Sequence, residues 1–73
     1  MKFVFTYHAQ YRMYVRAIST LDIKNIINHP DFIKIQNNGK ILKVKSIPKK
    51  GKVAVVYKMT GNKFLIITIY YEN

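Results

Sequence analysis

The spacing of apolar residues changes once along the chain. After one short β-prone segment the apolar positions first recur at helical intervals, and from Asp31 onward they follow the pattern of strands. The predicted elements are a strand over Lys2–Phe5, helices over Tyr7–Ala17 and from Ser19 to about Asn28, a candidate strand over Phe32–Gln36, and strands over Lys40–Ser46, Lys52–Met59 and Phe64–Tyr71. We therefore predict an α+β protein of order β-α-α-β-β-β, with two N-terminal helices packed on a mainly antiparallel, four- to five-stranded sheet.

Capping and turn residues mark the boundaries of these elements. Thr6 can cap the first helix, and Ser19 with Asp22 three residues later forms a capping-box variant that opens the second. The second helix ends before Pro30, because the residue preceding a proline avoids helical angles. The segment Asn37–Gly39 tolerates positive φ and predicts a hairpin turn between two strands.

The last two predicted strands are apolar on both faces. In the first of them, Val53, Val55 and Tyr57 share one face, and Ala54 and Val56 share the other. Strands of this kind are typical of the centre of a sheet, but two helices in so short a chain can cover only one face. We expect the sheet to curl or a partner to cover the second face, which points to a homodimer or a bound protein partner.

The composition predicts one folded domain, spanning residues 1–73, without disulfide bonds. Hydrophobic residues make up 49% of the 73 positions, so a core can form, and the chain has no cysteine. No apolar run is long enough for a signal peptide or for the roughly 20 residues of a membrane span. We expect a cytoplasmic protein without a membrane partner.

The charge is strongly positive and unevenly distributed. Thirteen Lys and Arg against three acids give a formal net charge of +10, of which +2 lies in residues 1–31 and +8 in residues 32–73. Such a density favours polyanions through counterion release and is typical of nucleic-acid-binding proteins. The alternative is a surface coated with lysine for reasons of temperature or base composition, although a matching number of glutamates is missing.

The first predicted helix carries both arginines of the chain. His8, Arg12 and Arg16 follow one another at intervals of four residues, which places them within roughly 80° of one helix face. Two guanidinium groups can grip phosphate oxygens while a histidine donates or accepts a proton, so this face is a candidate phosphate site. The alternative is a solvated face, or arginines that cap carbonyls and stack on nearby tyrosines.

Three segments of the chain resemble a widespread small uncharacterised family. Members of that family begin His-Ala-x-x-Arg-Met-x-x-Arg-x-Ile-Ser, which matches the run from His8 to Ser19, and end in Val-Val-Tyr and Ile-Thr-Val strands, which resemble residues 55–57 and 67–69. The family is similar to the RelE/ParE toxin superfamily, whose fold is a small sheet carrying two N-terminal helices. Some members of the superfamily cut messenger RNA on the ribosome, others inhibit DNA gyrase, and many pair with an antitoxin.

The resemblance implies a RelE-like toxin or a protein derived from one. It implies RNA as the substrate, free or ribosome-bound, and a cognate antitoxin as a partner. RelE-type nucleases use basic and tyrosine side chains on the sheet and near the C-terminus. The positions that the resemblance makes candidates are Lys43, Lys45, Tyr57, Tyr70 and Tyr71.

The inventory of reactive side chains narrows the chemistry. Three scattered acids, two histidines and no cysteine do not favour a carboxylate pair, a magnesium cluster or a zinc site, so we expect no metal and no cofactor. RNA cleavage remains compatible, because the substrate's own 2′-hydroxyl is the nucleophile and the protein has only to orient, move protons and stabilise charge.

On this hypothesis His8 is the general acid or base, and Arg12 and Arg16 hold the phosphate. Tyr70 completes the candidate catalytic set, as a proton carrier or as a stacking surface, although a tyrosine on a terminal strand also suits a core or an interface. The lysines expected to guide the nucleic acid are Lys43, Lys45, Lys49, Lys50 and Lys52. Two other classes stay open, a non-catalytic nucleic-acid-binding or protein-interaction module and a toxin directed at a protein.

Overall fold

The elements follow the predicted order, with one strand more. The computed structural model describes residues 2–72, and its elements are β1 (Lys2–Phe5), α1 (Tyr7–Arg16), α2 (Thr20–Asn28), β2 (Phe32–Ile35), a 3₁₀ turn over Asn37–Gly39, β3 (Lys40–Ile47), β4 (Gly51–Thr60) and β5 (Lys63–Tyr71). The α+β class and the N-terminal position of both helices are confirmed. The order β-α-α-β-β-β was one strand short, because the candidate strand after Pro30 is a true strand of a five-stranded sheet.

The sheet is mixed rather than wholly antiparallel. Its strand order is β1-β5-β4-β3-β2, with β1 parallel to β5 and the remaining neighbours antiparallel. The doubly apolar strand β4 lies at the centre and β5 beside it, as strands buried on both faces should. The short strands β1 and β2 form the two edges.

A β-bulge interrupts β5. Ile67 is an extra residue, since its neighbours Ile66 and Thr68 lie opposite two consecutive residues of β4. The bulge reverses the alternation of side chains, so that Ile66 before it and Ile69 after it both face the helices. Residues 68 and 70 are thereby turned to the opposite face of the sheet.

Both helices begin at side-chain caps that the sequence predicted. The Thr6 hydroxyl accepts a hydrogen bond from the backbone N–H of Ala9 at 3.0 Å, and α1 ends at Arg16, one residue earlier than expected. The end comes there because Ala17 takes a left-handed conformation (φ 55°), and its N–H donates to carbonyls of the last turn.

The capping box of α2 is complete. The backbone N–H of Asp22 donates to the Ser19 hydroxyl at 3.0 Å, and the N–H of Ser19 donates to the Asp22 carboxylate at 3.1 Å. Partial burial alone would raise the pKa of Asp22, but hydrogen bonds from Lys50 and Ser19, together with the charge of Lys50, outweigh it and hold that pKa below its ordinary value. Asp22 is therefore committed to the fold.

The two helices pack on one face of the sheet, called here the helix-covered face. Its core consists of Ala9, Ile18, Ile23, Ile26, Ile27, Ile47, Val53, Val55, Tyr57, Ile66 and Ile69. Each turn of α2 places an isoleucine in this core, which is the apolar stripe that an amphipathic helix requires. No helix in residues 2–72 combines the length and the apolar character needed to cross a membrane.

No helix of the described chain lies over the other face, called here the open face. At its centre is a second apolar cluster of four side chains, Leu42, Val44, Ala54 and Val56. These side chains are buried nevertheless, because their neighbours on the same face, Tyr70 among them, lie against them. The chain thus covers its own second cluster, and the expected homodimer or protein partner stays a prediction.

Candidate nucleic-acid site

The start of α1 is tied to β5 at the bulge. The parallel pairing of β1 with β5 ends at Phe5 and Ile66. The next residue, Thr6, donates its backbone N–H to the Ile66 carbonyl at 3.1 Å and its hydroxyl to the Ile67 carbonyl at 2.9 Å. The first turn of α1 therefore lies along the edge of β5 that faces away from β4, beyond the point where β1 ends.

This attachment places His8 beside the open face. The exposed imidazole is hydrogen-bonded through Nε2 to the hydroxyl of Thr68 at 2.9 Å. Thr68 follows the bulge and lies opposite Val56, whose side chain belongs to the open-face cluster. A hydroxyl can donate or accept, so Thr68 can orient either tautomer of the ring. The residue was missed in the sequence, because only the bulge brings it next to His8.

Arg16 anchors the end of α1 instead of standing free. Its guanidinium lies over the ring of Tyr71, 5.4 Å from the ring centre, and the Tyr71 hydroxyl donates to the Arg16 carbonyl at 3.0 Å. The Nε atom of Arg16 is buried and has no hydrogen-bond partner within residues 2–72. Arg16 therefore follows the alternative in which an arginine of this helix stacks on a tyrosine, but the tyrosine belongs to β5 and not to the helix. Arg12 is half-buried and lies one turn before Arg16 on the same helix face.

The two C-terminal tyrosines are separated by the sheet. Tyr71 packs against the helix-covered core, whereas Tyr70 lies opposite Ala54 and packs against the open-face cluster. Of the candidate catalytic set, His8 and Tyr70 thus border the same face. Tyr70 follows Thr68, the partner of His8, by two residues on β5. Arg16 is held on the other side by Tyr71.

Three of the five predicted guiding lysines make contacts within the fold. Lys43 Nζ donates to the Ile27 carbonyl in the last turn of α2 at 2.8 Å and lies over the ring of Tyr57. Lys45 Nζ is 3.8 Å from the Asp31 carboxylate.

Lys50 is the third of these lysines, and it joins the β3–β4 turn to the helices. Its Nζ donates to the Asp22 carboxylate at 2.9 Å and to the Ala17 carbonyl. Lys49 is exposed in the same turn with a positive φ of 70°, and Lys52 lies on the open face. The structure therefore does not bring the five together, because the apolar Leu42 and Val44 take the open face and turn Lys43 and Lys45 towards the helices.

A different set of lysines shares the open face. The strand register and the alternation of side chains place these lysines on it together with Lys52: Lys2, Lys34, Lys40, Lys58 and Lys63. The signal was present in the sequence as the strand period, since Lys40 and Lys58 are each two residues from a member of the open-face cluster. The strand period alone does not show which face of the sheet the helices leave open, so these lysines could not be assigned to one surface from the sequence.

The carboxylates lie apart from most of these lysines. Asp22 is bound to Lys50, and Asp31 is near Lys45. A cavity of about 300 Å³ at the far end of the open face is lined by Asp31, Glu72 and Lys52, among others. Within residues 2–72 no three His, Cys, Asp or Glu side chains are grouped as metal ligands would be.

The fold and the site define a small basic α+β protein with one covered and one open sheet face. The chain belongs to the family described as Domain of unknown function (DUF4258), whose model matches residues 5–71. Neither the curated proteins nor the solved structures contain a significant match to the chain.

Proposed function

We propose that this chain is a RelE-like toxin, or a protein derived from one, that cleaves RNA without a metal ion. The observation that carries the proposal is the exposed His8 imidazole, held by Thr68 at the margin of a lysine-rich sheet face that also carries Tyr70. The His8–Ser19 segment resembles a small family that is itself similar to the RelE/ParE toxin superfamily, and this resemblance supports the same function. The proposal includes a cytoplasmic location and a cognate antitoxin as partner.

The chemistry requires only groups that this margin supplies. A base removes the proton of the RNA 2′-hydroxyl, the 2′-oxygen attacks the adjacent phosphorus, and the bond from phosphorus to the 5′-oxygen breaks. The leaving 5′-oxygen takes a proton, so the products are a 2′,3′-cyclic phosphate and a 5′-hydroxyl. His8 serves as the base or the acid, and Arg12 stabilises the charge that develops on the phosphoryl oxygens.

The remaining candidates have supporting parts. Tyr70 offers a ring on which a base can stack, or a hydroxyl that can carry a proton. Arg16 holds α1 on β5 through Tyr71, so its contribution to phosphate binding is smaller than that of Arg12. Lys52 and the other open-face lysines attract the RNA backbone.

A non-catalytic nucleic-acid-binding module is the second candidate function. The stacking of Arg16 on Tyr71 favours it, because only one arginine is then available to hold a phosphate group in the transition state. Such a module would use the same lysines but would leave RNA intact.

The deciding experiment incubates the purified protein with 5′-labelled RNA, either free with a chelator present or ribosome-bound in the Mg²⁺ that ribosomes require. We expect fragments ending in a 2′,3′-cyclic phosphate, and no cut at a position where the 2′-hydroxyl is replaced by hydrogen. His8→Ala should slow cleavage by roughly 10²- to 10⁴-fold. His29→Ala, which alters the exposed histidine at the end of α2, is the matched control and should cleave normally. Intact RNA with the wild-type protein on both substrates would remove the nuclease proposal and leave the binding module.

A further inference from the structure

Five lysines form a diagonal line across the open face, one from each strand of the sheet. In the order β1-β5-β4-β3-β2, the members of this lysine track are Lys2, Lys63, Lys58, Lys40 and Lys34. Lys2 lies opposite Lys63, and Lys58 lies opposite Lys40. The steps from Lys63 to Lys58 and from Lys40 to Lys34 each move two residues in the same direction along the strands. At the usual strand spacing and rise the track is about 24 Å long.

The track carries charge that the fold does not neutralise. Like charges directly opposite on neighbouring strands are destabilising, and the track contains two such pairs. Within residues 2–72, both ion pairs are made by lysines outside the track, with Asp22 and Asp31. Glu72 lies at the other end of the open face, beside Lys52. A linear arrangement of repelling cations matches the charge pattern of a polyanion backbone.

Two aromatic side chains share the open face with the track: Phe32 is two residues from Lys34 on β2, and Tyr70 is about 14 Å from Lys58 at standard strand geometry. Tyr70, Ala54, Val44 and Phe32 occupy one cross-strand row of the open face, with the two rings at its ends and the small apolar residues between them. Phe32 is 54% exposed although it is apolar, and Tyr70 is partly exposed. Base stacking on aromatic rings next to a cationic groove is the usual way in which proteins bind single strands.

We propose that the open face binds a single-stranded polynucleotide, with the sugar–phosphate backbone along the lysine track and bases against Phe32 and Tyr70. A base-paired duplex fits less well, because its bases are stacked inside and cannot reach the two rings. The inference rests on the proposed function in one respect: Thr68 is about 8 Å from Lys58 at standard strand geometry, so a strand on the track passes His8. The binding itself does not require cleavage.

The test measures binding of a fluorescent oligodeoxyuridylate of about 12 nucleotides by fluorescence anisotropy between about 50 and 200 mM salt. This probe lacks the 2′-hydroxyl, so the result is independent of the nuclease proposal. Lys58→Glu keeps the sheet, because it converts the Lys40–Lys58 repulsion into an opposite-charge pair. We expect Lys58→Glu to weaken binding at least tenfold at low salt and to reduce the salt slope by at least about 0.7, because the track then neutralises one phosphate fewer.

The matched control is Lys24→Glu, which makes the same change of charge on α2, where the amine lies over the Phe3 ring of the helix-covered face. We expect Lys24→Glu to weaken binding no more than about twofold. If Lys24→Glu and Lys58→Glu weaken binding equally, the attraction depends on net charge alone, and the proposal that the backbone follows the lysine track is wrong.

Phe32→Leu tests the stacking half of the proposal. It keeps an apolar side chain on β2 but removes the ring, and we expect roughly fivefold weaker binding with an unchanged salt slope. The same oligonucleotide annealed to its complement should bind more weakly than the single strand. Equal or tighter binding of the duplex, or unchanged affinity of Phe32→Leu, would overturn the single-strand assignment.

Discussion

At the scale of the residue, side chains that the sequence placed in one candidate site have different functions in the structure. Some are exposed and available to a ligand, and others stabilise the fold. His8 is exposed and oriented by one hydroxyl, whereas Arg16, two turns later on the same helix face, stacks on Tyr71. Among the carboxylates, Asp22 is the clearest case of a group used for stability, because it closes a capping box and pairs with Lys50.

The stability that Asp22 provides should depend on pH in a defined direction. We expect Asp22→Asn to lower the free energy of unfolding by about 1 kcal/mol at pH 7. Because the folded pKa of Asp22 lies below its ordinary value of 3.8, this stabilisation is complete above the unfolded pKa and is lost as pH falls through the folded pKa. Urea denaturation of both proteins from pH 7 to about pH 3 measures it, with Glu72→Gln as a charge-matched control. A deficit that stays constant over this range would contradict the assignment.

At the scale of the element, local signals predicted the helices and turns, and long-range pairing decided the rest. Thr6 and the Ser19–Asp22 box are local, and the turn at Asn37–Gly39 also follows from its own residues, with Asn38 and Gly39 at positive φ. The parallel pairing of β1 with β5 joins residues some 60 positions apart, and the bulge at Ile67 depends on the register with β4, so neither is encoded by a local pattern.

The same limit explains which site residues were found. The cationic face of α1 follows from helix geometry alone, so His8 and Arg12 could be predicted. Thr68 could not, because it reaches His8 only through the bulge. Lys43 was assigned to nucleic acid because of its charge and because the resemblance makes basic residues of the sheet candidates, but neither says which face of the sheet receives the helices. Both faces of this sheet carry apolar clusters, and α2 lies on the side of Lys43.

The attachment of α1 to β5 can be tested at the last turn of the helix, where Tyr71 contacts Arg16. Tyr71→Phe removes the hydroxyl that donates to the Arg16 carbonyl and should lower the free energy of unfolding by about 1 kcal/mol. Amide hydrogen exchange should accelerate in α1 more than in β3 and β4, because the lost contact is local. Tyr14→Phe is the control, since Tyr14 is 88% exposed and its hydroxyl faces solvent. Equal exchange rates in α1 of Tyr71→Phe and wild type would contradict this account.

At the scale of the whole molecule, the distribution of charge opposes the fold. The net charge of +10 is carried by a chain with a radius of gyration of 11.2 Å, and the open face gathers lysines in directly opposed pairs. Net charge far from zero destabilises a compact state through self-repulsion, and salt relieves that repulsion. A polyanion bound only to the folded protein would add to stability in proportion to the logarithm of its concentration above Kd.

A single neutralisation on the lysine track should therefore stabilise the free protein while weakening its binding. We expect Lys58→Gln to raise the free energy of unfolding by about 0.5 kcal/mol at low salt, because it removes the repulsion between Lys58 and Lys40. The gain should shrink as salt is raised to about 0.5 M, where the screening length is short. Urea denaturation at two salt concentrations measures both effects, and Lys52→Gln, which lies near Glu72, should give no such gain. Residues that bind a ligand but destabilise the free protein are expected to show this trade-off between stability and function. If Lys58→Gln were no more stable than wild type at low salt, the track would not be under electrostatic strain, and its lysines would be ordinary surface residues.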